Sequence, residues 1–342
     1  MTTATKPRRV RKDKAAGEIA STAAFVATFN AIVNNVTKVI KGKDDVVKGA
    51  VTALLAGGHV LFEDMPGTGK TMLARSMSQS IGAHVSRIQC TPDLMPGDIS
   101  GTPVLDRATG EFVFRKGPVF ANVLLVDEVN RATPKTQSAL LEAMQEKSVT
   151  VDGHTHMLPN PFFVLATQNP IELAGTFPLP EAQLDRFLFK LSIGYPSEDS
   201  EVEVMKSNLR SESITALEPV VGLEEVLSAI NYATGVTVSD PVLHYIARLV
   251  GATRDDPSLQ VGASARASLA LMRASRVAAA SQGRDDVLPD DVKSIARAVI
   301  GHRVMLDSDA VLRDETIDGV IDRIVARIKV PTPGRAGTNG NG

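Results

Sequence analysis

The spacing of hydrophobic residues divides the chain into three stretches. Between residues 22 and 56 the apolar positions recur at helical spacing and predict two helices. From residue 58 to 193, short apolar runs alternate with helical patterns, which predicts a mainly parallel sheet. Its strands are expected at 59–63, 85–90, 122–126, 162–167 and 187–193. From residue 197 to 329 only helical patterns remain.

The change of pattern near residue 196 predicts two domains. Residues 21–196 are expected to form an α/β domain with helices on both faces of a parallel sheet, and residues 197–330 a smaller all-helical domain. Residues 1–20, which carry a basic run, and residues 331–342 have little to bury. Both are therefore expected to be disordered tails.

Composition narrows the class of protein. Of the 342 residues, 43% are hydrophobic but only 4% are aromatic, which predicts substantial aliphatic cores. A net charge of −2 does not indicate a nucleic-acid-binding protein. The single cysteine, Cys90, excludes an internal disulfide. Because no apolar run approaches the ~20 residues that span a bilayer and no secretion signal is evident, the protein is expected to be cytoplasmic.

The stretch around Gly67 predicts a phosphate-binding loop. The apolar run Val60–Phe62 leads into a loop that contains Gly67 and Gly69, and a helical pattern begins at Lys70. Backbone N–H groups at such a helix N-terminus face an anion. Lys70 is expected to reach the β- and γ-phosphates of ATP, and the Thr71 hydroxyl to ligate Mg²⁺. The predicted nucleotide contacts are Pro66, Gly67, Thr68, Gly69, Lys70, Thr71, Met72 and, from a later strand, Asp127.

One position departs from the usual G-x-x-x-x-G-K-[ST] pattern, in which Gly stands where this chain has Asp64. An acid at this position is expected to weaken nucleotide binding unless its carboxylate points away from the phosphates. Taken alone, the stretch is also compatible with a glycine turn that binds nothing.

Two carboxylates follow another buried strand farther along the chain. Asp127 and Glu128 end the apolar run Val123–Val126 and are expected at the sheet edge beside the phosphate loop. Asp127 is expected to hold Mg²⁺ through water together with Thr71, and Glu128 to orient and deprotonate the attacking water. The plain alternative is a strand that ends in a solvated turn.

Three further side chains are candidates for contacts with the nucleotide. Asn169 follows a buried strand and is expected either to contact the attacking water or the γ-phosphate, or to cap the next turn. Arg186 is expected either to pair with Asp185 or to reach the γ-phosphate bound by a neighbouring subunit. Arg266 lies in the first turn of a helix that Ser264 is expected to cap, where it opposes the helix dipole unless an anion is bound.

In this order, the motifs resemble those of AAA+ ATPases, which combine a P-loop NTPase core with a helical lid domain. The residue sequences of these motifs are similar to those of the MoxR family. The resemblance covers about residues 25 to 330. The segments that carry it are Gly57–Glu63, Asp127–Ala132, Gln137–Glu146, Ala166–Glu172 and Leu179–Phe187.

The resemblance implies a role for each candidate. It assigns Walker A to Lys70 and Thr71, Walker B to Asp127 and Glu128, sensor 1 to Asn169, the trans arginine finger to Arg186 and sensor 2 to Arg266. Arg131 is a second candidate for a contact across the subunit interface. Predicted hairpins near residues 110–118 and 148–156 match the inserts that typically line the pore of a ring in this clade.

Two positions depart from the pattern of the family. Lys43 stands where such proteins commonly carry Gln on the adenine side of the nucleotide. Ala265 stands where Pro commonly precedes the arginine that matches Arg266. The second change is expected to weaken the start of the helix slightly without moving Arg266.

The resemblance implies a Mg²⁺-dependent ATPase that forms a homo-oligomeric ring, expected to be a hexamer, and that remodels partner proteins as a chaperone does. A partner with a von Willebrand factor A domain is expected on the same ground. Two alternatives stay open. One is a nucleic-acid translocase, for which one insert offers Arg107, Arg115 and Lys116 but for which basic residues are otherwise few. The other is a chelatase-type motor subunit.

Overall fold

The computed structural model describes residues 19–65, 67–169, 175–195, 197–209 and 217–331. Residues 1–18 and 332–342, which make up most of the two predicted tails, lie outside the described residues. The strands are, in chain order, β1 (Val60–Glu63), β2 (Val85–Gln89), β3 (Gly101–Leu105), β4 (Phe112–Lys116), β5 (Val123–Asp127), β6 (Ser148–Val151), β7 (His154–Met157), β8 (Phe163–Gln168), β9 (Phe189–Leu191), β10 (Leu259–Val261) and β11 (Met305–Leu306).

The helices alternate with these strands and then dominate the C-terminal region. They are α1 (Thr22–Thr37), α2 (Asp44–Leu55), α3 (Lys70–Ser80), α4 (Pro96–Ser100), α5 (Pro134–Glu146), α6 (Glu181–Leu184), α7 (Glu198–Leu209), α8 (Leu223–Gly235), α9 (Asp240–Ala252), α10 (Ala265–Ser281), α11 (Pro289–Ile300), α12 (Ser308–Leu312) and α13 (Ile317–Arg327). Among the residues that the structure describes, no helix has both the length and the apolar content needed to cross a bilayer.

The central sheet is parallel throughout and has the strand order β2-β5-β8-β1-β9. The carboxyl ends of parallel strands meet at one edge of a sheet, which is where ligands bind in open α/β folds. The register places Glu63 beside Gln168 and Gln89 beside Asp127 at this edge. The α/β prediction is confirmed, and each predicted strand of this sheet agrees with the structure to within two residues at either end.

The two faces of the sheet bury different cores. Because side chains alternate along a strand, Val60 and Phe62 of β1 join the core on one face, whereas Leu61 joins the core on the other. The first core includes residues of α1, α2 and α3, and the second includes Leu140 and Leu141 of α5. Burial of these aliphatic side chains is the main force that holds the helices against the sheet.

Helix α1 joins the sheet to the C-terminal helices. Its Asn35 side chain donates to Ser80 Oγ of α3 at 3.0 Å, and its Thr28 hydroxyl donates to the Glu225 carboxylate of α8 at 2.6 Å. The first core is continuous from Phe25 of α1 to Leu271 of α10. The C-terminal helices are therefore packed on the first face of the sheet through α1 and α2.

The C-terminal region contains more than the predicted helices. β10 and β11 pair antiparallel, with Leu259 opposite Leu306, and the short helix α12 follows β11. The prediction that residues 197–329 contain only helices was wrong for these two short strands. Strands of three and two residues are too short to produce a readable alternation of apolar and polar positions.

Two hairpins are present and they touch one another; the second agrees with the prediction, whereas the first begins at Gly101, earlier than the predicted stretch near 110–118. β3 pairs with β4, and β6 pairs with β7, each antiparallel. Phe114 of β4 stacks on the His156 ring of β7 with centroids 4.1 Å apart and planes 15° apart, and Phe120 packs edge-on against Phe114 at 5.8 Å. This aromatic contact joins two inserts that leave the sheet at different points of the chain.

Buried His59 joins three elements at the start of β1. Its Nδ1 accepts from the Val164 N–H of β8 at 3.1 Å, and its Nε2 lies 3.2 Å from the Met144 carbonyl of α5. An Nε2–H tautomer satisfies both contacts while the ring stays neutral. Burial is the main reason that the pKa of His59 falls from 6.5 to about 4, with Lys147 and Arg273 adding to the effect.

We expect His59 to make the stability of the fold depend on pH. Between its unfolded pKa of 6.5 and its folded pKa of about 4, only the unfolded chain takes up the proton, so stability is lost as the pH falls. Urea unfolding at pH 7 and pH 5 should show a difference that is about 2 kcal/mol larger for the wild type than for His59→Gln. His84→Gln, at an exposed histidine, is the control and should retain the wild-type difference. An unchanged difference in His59→Gln would contradict this assignment.

Candidate nucleotide-binding site

The phosphate loop connects β1 to α3 with the geometry that its glycines allow. Gly67 and Gly69 have φ of 84° and 92°, a region that strains any other residue. Gly69 is the N-cap of α3 and makes no side-chain capping bond. The first N–H groups of α3 are therefore available to an anion, which the helix dipole also favours. Pro66, a predicted contact, lies outside the described residues.

Lys70 folds back along the loop. Its Nζ donates to the carbonyl oxygens of Asp64 and Met65, at 2.9 Å each. Burial lowers the pKa of Lys70, and the carboxylates of Asp64, Asp127 and Glu128 partly offset that shift. A phosphate group offers a charged acceptor in place of two neutral carbonyls, so the side chain is poised to turn toward an anion.

Asp64 turns its carboxylate away from the loop. Its Oδ1 accepts from the Ser192 hydroxyl at 2.7 Å and from the Gly194 N–H at 3.0 Å, and its Oδ2 accepts from the Ile193 N–H at 2.7 Å. These bonds tie the end of β1 to the segment that follows β9. The acid that replaces the first glycine of the motif is thus a structural anchor. On the same segment, the Lys43 ammonium donates to the Tyr195 carbonyl at 2.8 Å.

Asp127 and Thr71 supply oxygen atoms to one cavity. Asp127 ends β5 and is buried, and its Oδ2 accepts from Arg87 Nε at 2.7 Å. Thr71 lies in the first turn of α3 and lines the same cavity. A carboxylate and a hydroxyl beside a phosphate site form the type of donor set that Mg²⁺ takes in P-loop enzymes. These two residues fit the metal.

Glu128 is held in an unusual backbone conformation. Its φ of 55° and ψ of 52° are in the left-handed region, and its N–H donates to Thr167 Oγ1 at 2.9 Å. Its Oε2 accepts from Gln89 Nε2 at 3.1 Å and from Arg131 Nη1 at 2.9 Å. Strained positions of this kind are common at functional sites. The carboxylate is therefore restrained by β2 and by the turn after β5.

The cavity that these residues share has a volume of about 320 Å³. Asn169 also lines it, and the Asn169 carbonyl accepts from Asn130 Nδ2 at 3.3 Å. Met72 does not line this cavity as the described residues form it, and its side chain is largely exposed. The residues that line the cavity are Asp64, Gly67, Gly69, Lys70, Thr71, Arg87, Gln89, Asp127, Glu128, Thr167, Gln168 and Asn169.

Arg186 and Arg266 line a different cavity, of about 330 Å³, together with Lys147, Arg273 and Arg303. Neither Arg186 nor Arg266 contributes to the phosphate cavity formed by the described residues. The anion beside Arg266 is the carboxylate of Asp185, at 3.9 Å. Two of the predicted nucleotide contacts are thus separated from the phosphate loop of their own chain.

Sequence reasoning missed three residues that hold the predicted ones. Arg87 binds Asp127, Gln89 binds Glu128, and Thr167 accepts from the Glu128 N–H. Arg87 and Gln89 alternate with apolar residues on the edge strand β2, a pattern that usually means exposure to water. Only the pairing of β2 with β5 shows that Arg87 and Gln89 contact the site. Thr167 precedes Gln168 and Asn169, whose amide side chains are more obvious candidates for a binding site.

Comparison with known proteins agrees with this geometry. Residues 59–189 match the ATPase family associated with various cellular activities (AAA), and residues 251–324 match the AAA lid domain. Chaperone MoxR1 of Mycobacterium tuberculosis is 41% identical over 322 residues, covering 90% of this chain and 84% of that protein. Protein MoxR of Paracoccus denitrificans is 30% identical, with coverages of 86% and 93%.

The chain belongs to the MoxR family of AAA+ ATPases. It is an ATPase with a nucleotide-binding core and a helical lid. The crystal structure of a protein from Cytophaga hutchinsonii superposes with a TM-score of 0.85 at 37% identity, covering 91% of this chain and 97% of that one. The cavity at the ends of β1, β5 and β8 is accordingly the candidate ATP site of a MoxR-family enzyme.

We expect Asp64→Asn to destabilise the fold without tightening nucleotide binding. The amide NH₂ would replace one of two carboxylate oxygens that both accept hydrogen bonds, and it would face a donor. Leaving a buried donor unpaired costs about 1–3 kcal/mol, measurable by urea unfolding. Asp45→Asn, at an exposed carboxylate, is the matched control and should change stability little. Tighter ATP binding by Asp64→Asn at unchanged stability would show that this acid faces the phosphates.

Proposed function

We propose that the protein is a Mg²⁺-dependent ATPase that works as a homo-oligomeric ring, expected to be a hexamer, and that remodels partner proteins in the cytoplasm. The observation that carries the catalytic part is the meeting of Lys70, Thr71, Asp127 and Glu128 in one cavity. Lys70 and Thr71 begin the helix after the phosphate loop, and Asp127 and Glu128 lie at the end of β5, which is separated from β1 by β8 in the sheet. This set of groups suits phosphoryl transfer to water.

Each residue has a defined task in hydrolysis. Lys70 leaves the carbonyls of Asp64 and Met65 and binds the β- and γ-phosphates. Thr71 and Asp127 would hold Mg²⁺, which would supply positive charge beside the phosphate oxygens. Glu128 orients the attacking water and accepts its proton. The proton can go to Oε1, because the bonds from Gln89 and Arg131 are both accepted by Oε2.

Arg186 is proposed as the arginine finger that acts on the nucleotide of a neighbouring subunit, and Arg266 is proposed as sensor 2. They share a cavity that is distinct from the phosphate cavity of their own chain, which suits a contact in trans. An arginine finger supplied in this way is worth about 10³–10⁵ in rate. Asn169 is proposed as sensor 1. Arg131 remains a second candidate for a contact across the interface, in addition to its bond with Glu128.

A protein client suits the exposed inserts better than nucleic acid does. The β3–β4 hairpin exposes Val104, Leu105, Phe112 and Val113, and the β6–β7 hairpin exposes Met157. Apolar side chains in this number are typical of surfaces that bind proteins. Residues 197–330 are proposed to move as a lid, a hinge closure coupled to the nucleotide state. By family resemblance, the expected partner contains a von Willebrand factor A domain.

We expect Lys70→Ala to abolish ATP binding and Glu128→Gln to retain ATP while hydrolysis falls about 10²-fold or more. Chelation of Mg²⁺ should stop hydrolysis by the wild type. Nucleotide binding by calorimetry and phosphate release measure the two steps separately. Lys48→Ala, at an exposed lysine of α2, is the control and should hydrolyse ATP normally. Full hydrolysis by Lys70→Ala would overturn the site.

The same Glu128→Gln chain, held in ATP, is expected to retain its client in a pull-down. The proposal predicts a discrete set of proteins that includes one with a von Willebrand factor A domain. The Lys70→Ala chain should recover none of them, because it binds no ATP. Recovery of nucleic acid that is released by salt would support a translocase instead.

A further inference from the structure

The segment that carries Arg186 is held by a residue of the helical region. This segment, Asp185–Leu188, connects α6 to β9. Arg303, which follows α11, is buried and directs its guanidinium group at the segment. Arg303 Nε donates to the Asp185 carboxylate at 2.6 Å. The two elements are 118 positions apart in the chain, so the contact is a product of the tertiary fold.

The remaining donors of Arg303 bind main-chain carbonyls. Nη2 donates to the carbonyls of Phe187 at 2.6 Å and Asp185 at 3.2 Å. Nη1 donates to the carbonyl of Leu188 at 3.2 Å and to that of Val299. A guanidinium group has five N–H donors, and here every one has an acceptor. Three of the carbonyls bracket Arg186 in the chain.

His302 reinforces the same contact. Its Nε2 lies 3.0 Å from the Phe187 carbonyl. Burial and the charge of Arg303 keep the pKa of His302 well below 6.5, so the ring is neutral and Nε2–H is the donor. The Phe187 carbonyl therefore receives bonds from two consecutive residues of the helical region.

A second part of the helical region contacts the segment at Asp185. The Ser264 hydroxyl, at the start of α10, donates to Asp185 Oδ2 at 2.9 Å. On the opposite side, the Leu188 N–H donates to the His59 carbonyl before β1 at 2.8 Å. The segment Asp185–Leu188 is thus hydrogen-bonded to both the sheet and the helical region. Most of the polar contacts of the segment are made by the helical region.

The side chain of Arg186 has little to fix it in place. Its Nε is buried and has no hydrogen-bond partner among the described residues. Asp185, the adjacent carboxylate, pairs with Arg303 and Arg266. The position of the Arg186 guanidinium group therefore depends on the main chain that carries it, and Arg303 holds that main chain.

We propose that Arg303 is a positioning residue for Arg186, through which the orientation of the helical region sets the reach of Arg186 toward the nucleotide of the neighbouring subunit. The inference rests on the proposed trans role of Arg186. Rotation of the helical region against the sheet would carry Asp185–Leu188 with it. A displacement of about 1 Å at a catalytic group can cost about 10²-fold in rate.

The test is a double-mutant cycle in the full-length protein. Arg303→Lys keeps the charge but cannot supply the planar fork of donors. We expect it to lower kcat about 10-fold or more, with the Kd for ATP unchanged. In an Arg186→Ala background, the same change should lower kcat less than about 2-fold, because the group it positions is gone. Arg297→Met, at an exposed ion pair of α11, is the control and should leave kcat unchanged in both backgrounds.

The double-mutant cycle distinguishes a failure of the positioning role of Arg303 from a failure of the trans role of Arg186. If Arg186→Ala hydrolyses ATP as the wild type does, the trans role of Arg186 is wrong. If Arg186→Ala is impaired but Arg303→Lys lowers kcat equally in both backgrounds, or not at all, only the positioning role is wrong. Should Arg303→Lys fail to unfold cooperatively, Ser264→Ala removes a different contact with Asp185 at an exposed site. Its smaller loss of kcat must likewise disappear in the Arg186→Ala background.

Discussion

The parallel pairing of β1, β5 and β8 places the ends of three strands at one edge of the sheet, and the rest of the site depends on this arrangement. The phosphate loop leaves β1, Asp127 ends β5 and Glu128 follows it, and Asn169 follows β8. These three parts of the site are far apart in the sequence, and the sheet brings them together. The buried aliphatic cores on both faces fix the pairing, and hence the distances between the functional groups.

The charged groups of the site have hydrogen-bond partners within the protein. Lys70 binds two loop carbonyls, Asp127 binds Arg87, and Glu128 binds Arg131. These contacts keep each group hydrogen-bonded in a partly buried place, where an unpaired charge is costly. In the proposed mechanism, the phosphates of ATP replace the two loop carbonyls as partners of Lys70.

Much of this site could be predicted because its signals are local. A glycine loop before a helix and an apolar run before two carboxylates are short patterns with a direct physical meaning, and they located Lys70, Thr71, Asp127 and Glu128. The direction of the Asp64 carboxylate could not be predicted, because its partners follow β9, far along the chain. The same holds for Arg87 and Gln89, whose role depends on pairing between strands. Arg303 follows a helical pattern and belongs to no recognisable motif in the sequence, and only its five acceptors distinguish it.

The proposed trans role of Arg186 is tested most directly by measuring ATP hydrolysis in a mixture of two variant chains. A Lys70→Ala chain has no functional site but supplies Arg186, whereas an Arg186→Ala chain has an intact site and supplies no finger. We predict that an equimolar mixture, after exchange of subunits, hydrolyses ATP about 10-fold or more faster than either chain alone. A chain that carries both changes should restore no activity when it replaces the Lys70→Ala chain in the mixture, because neither component then supplies Arg186. A mixture that is no faster than the average of its components would contradict the proposal that Arg186 acts on the nucleotide of a neighbour.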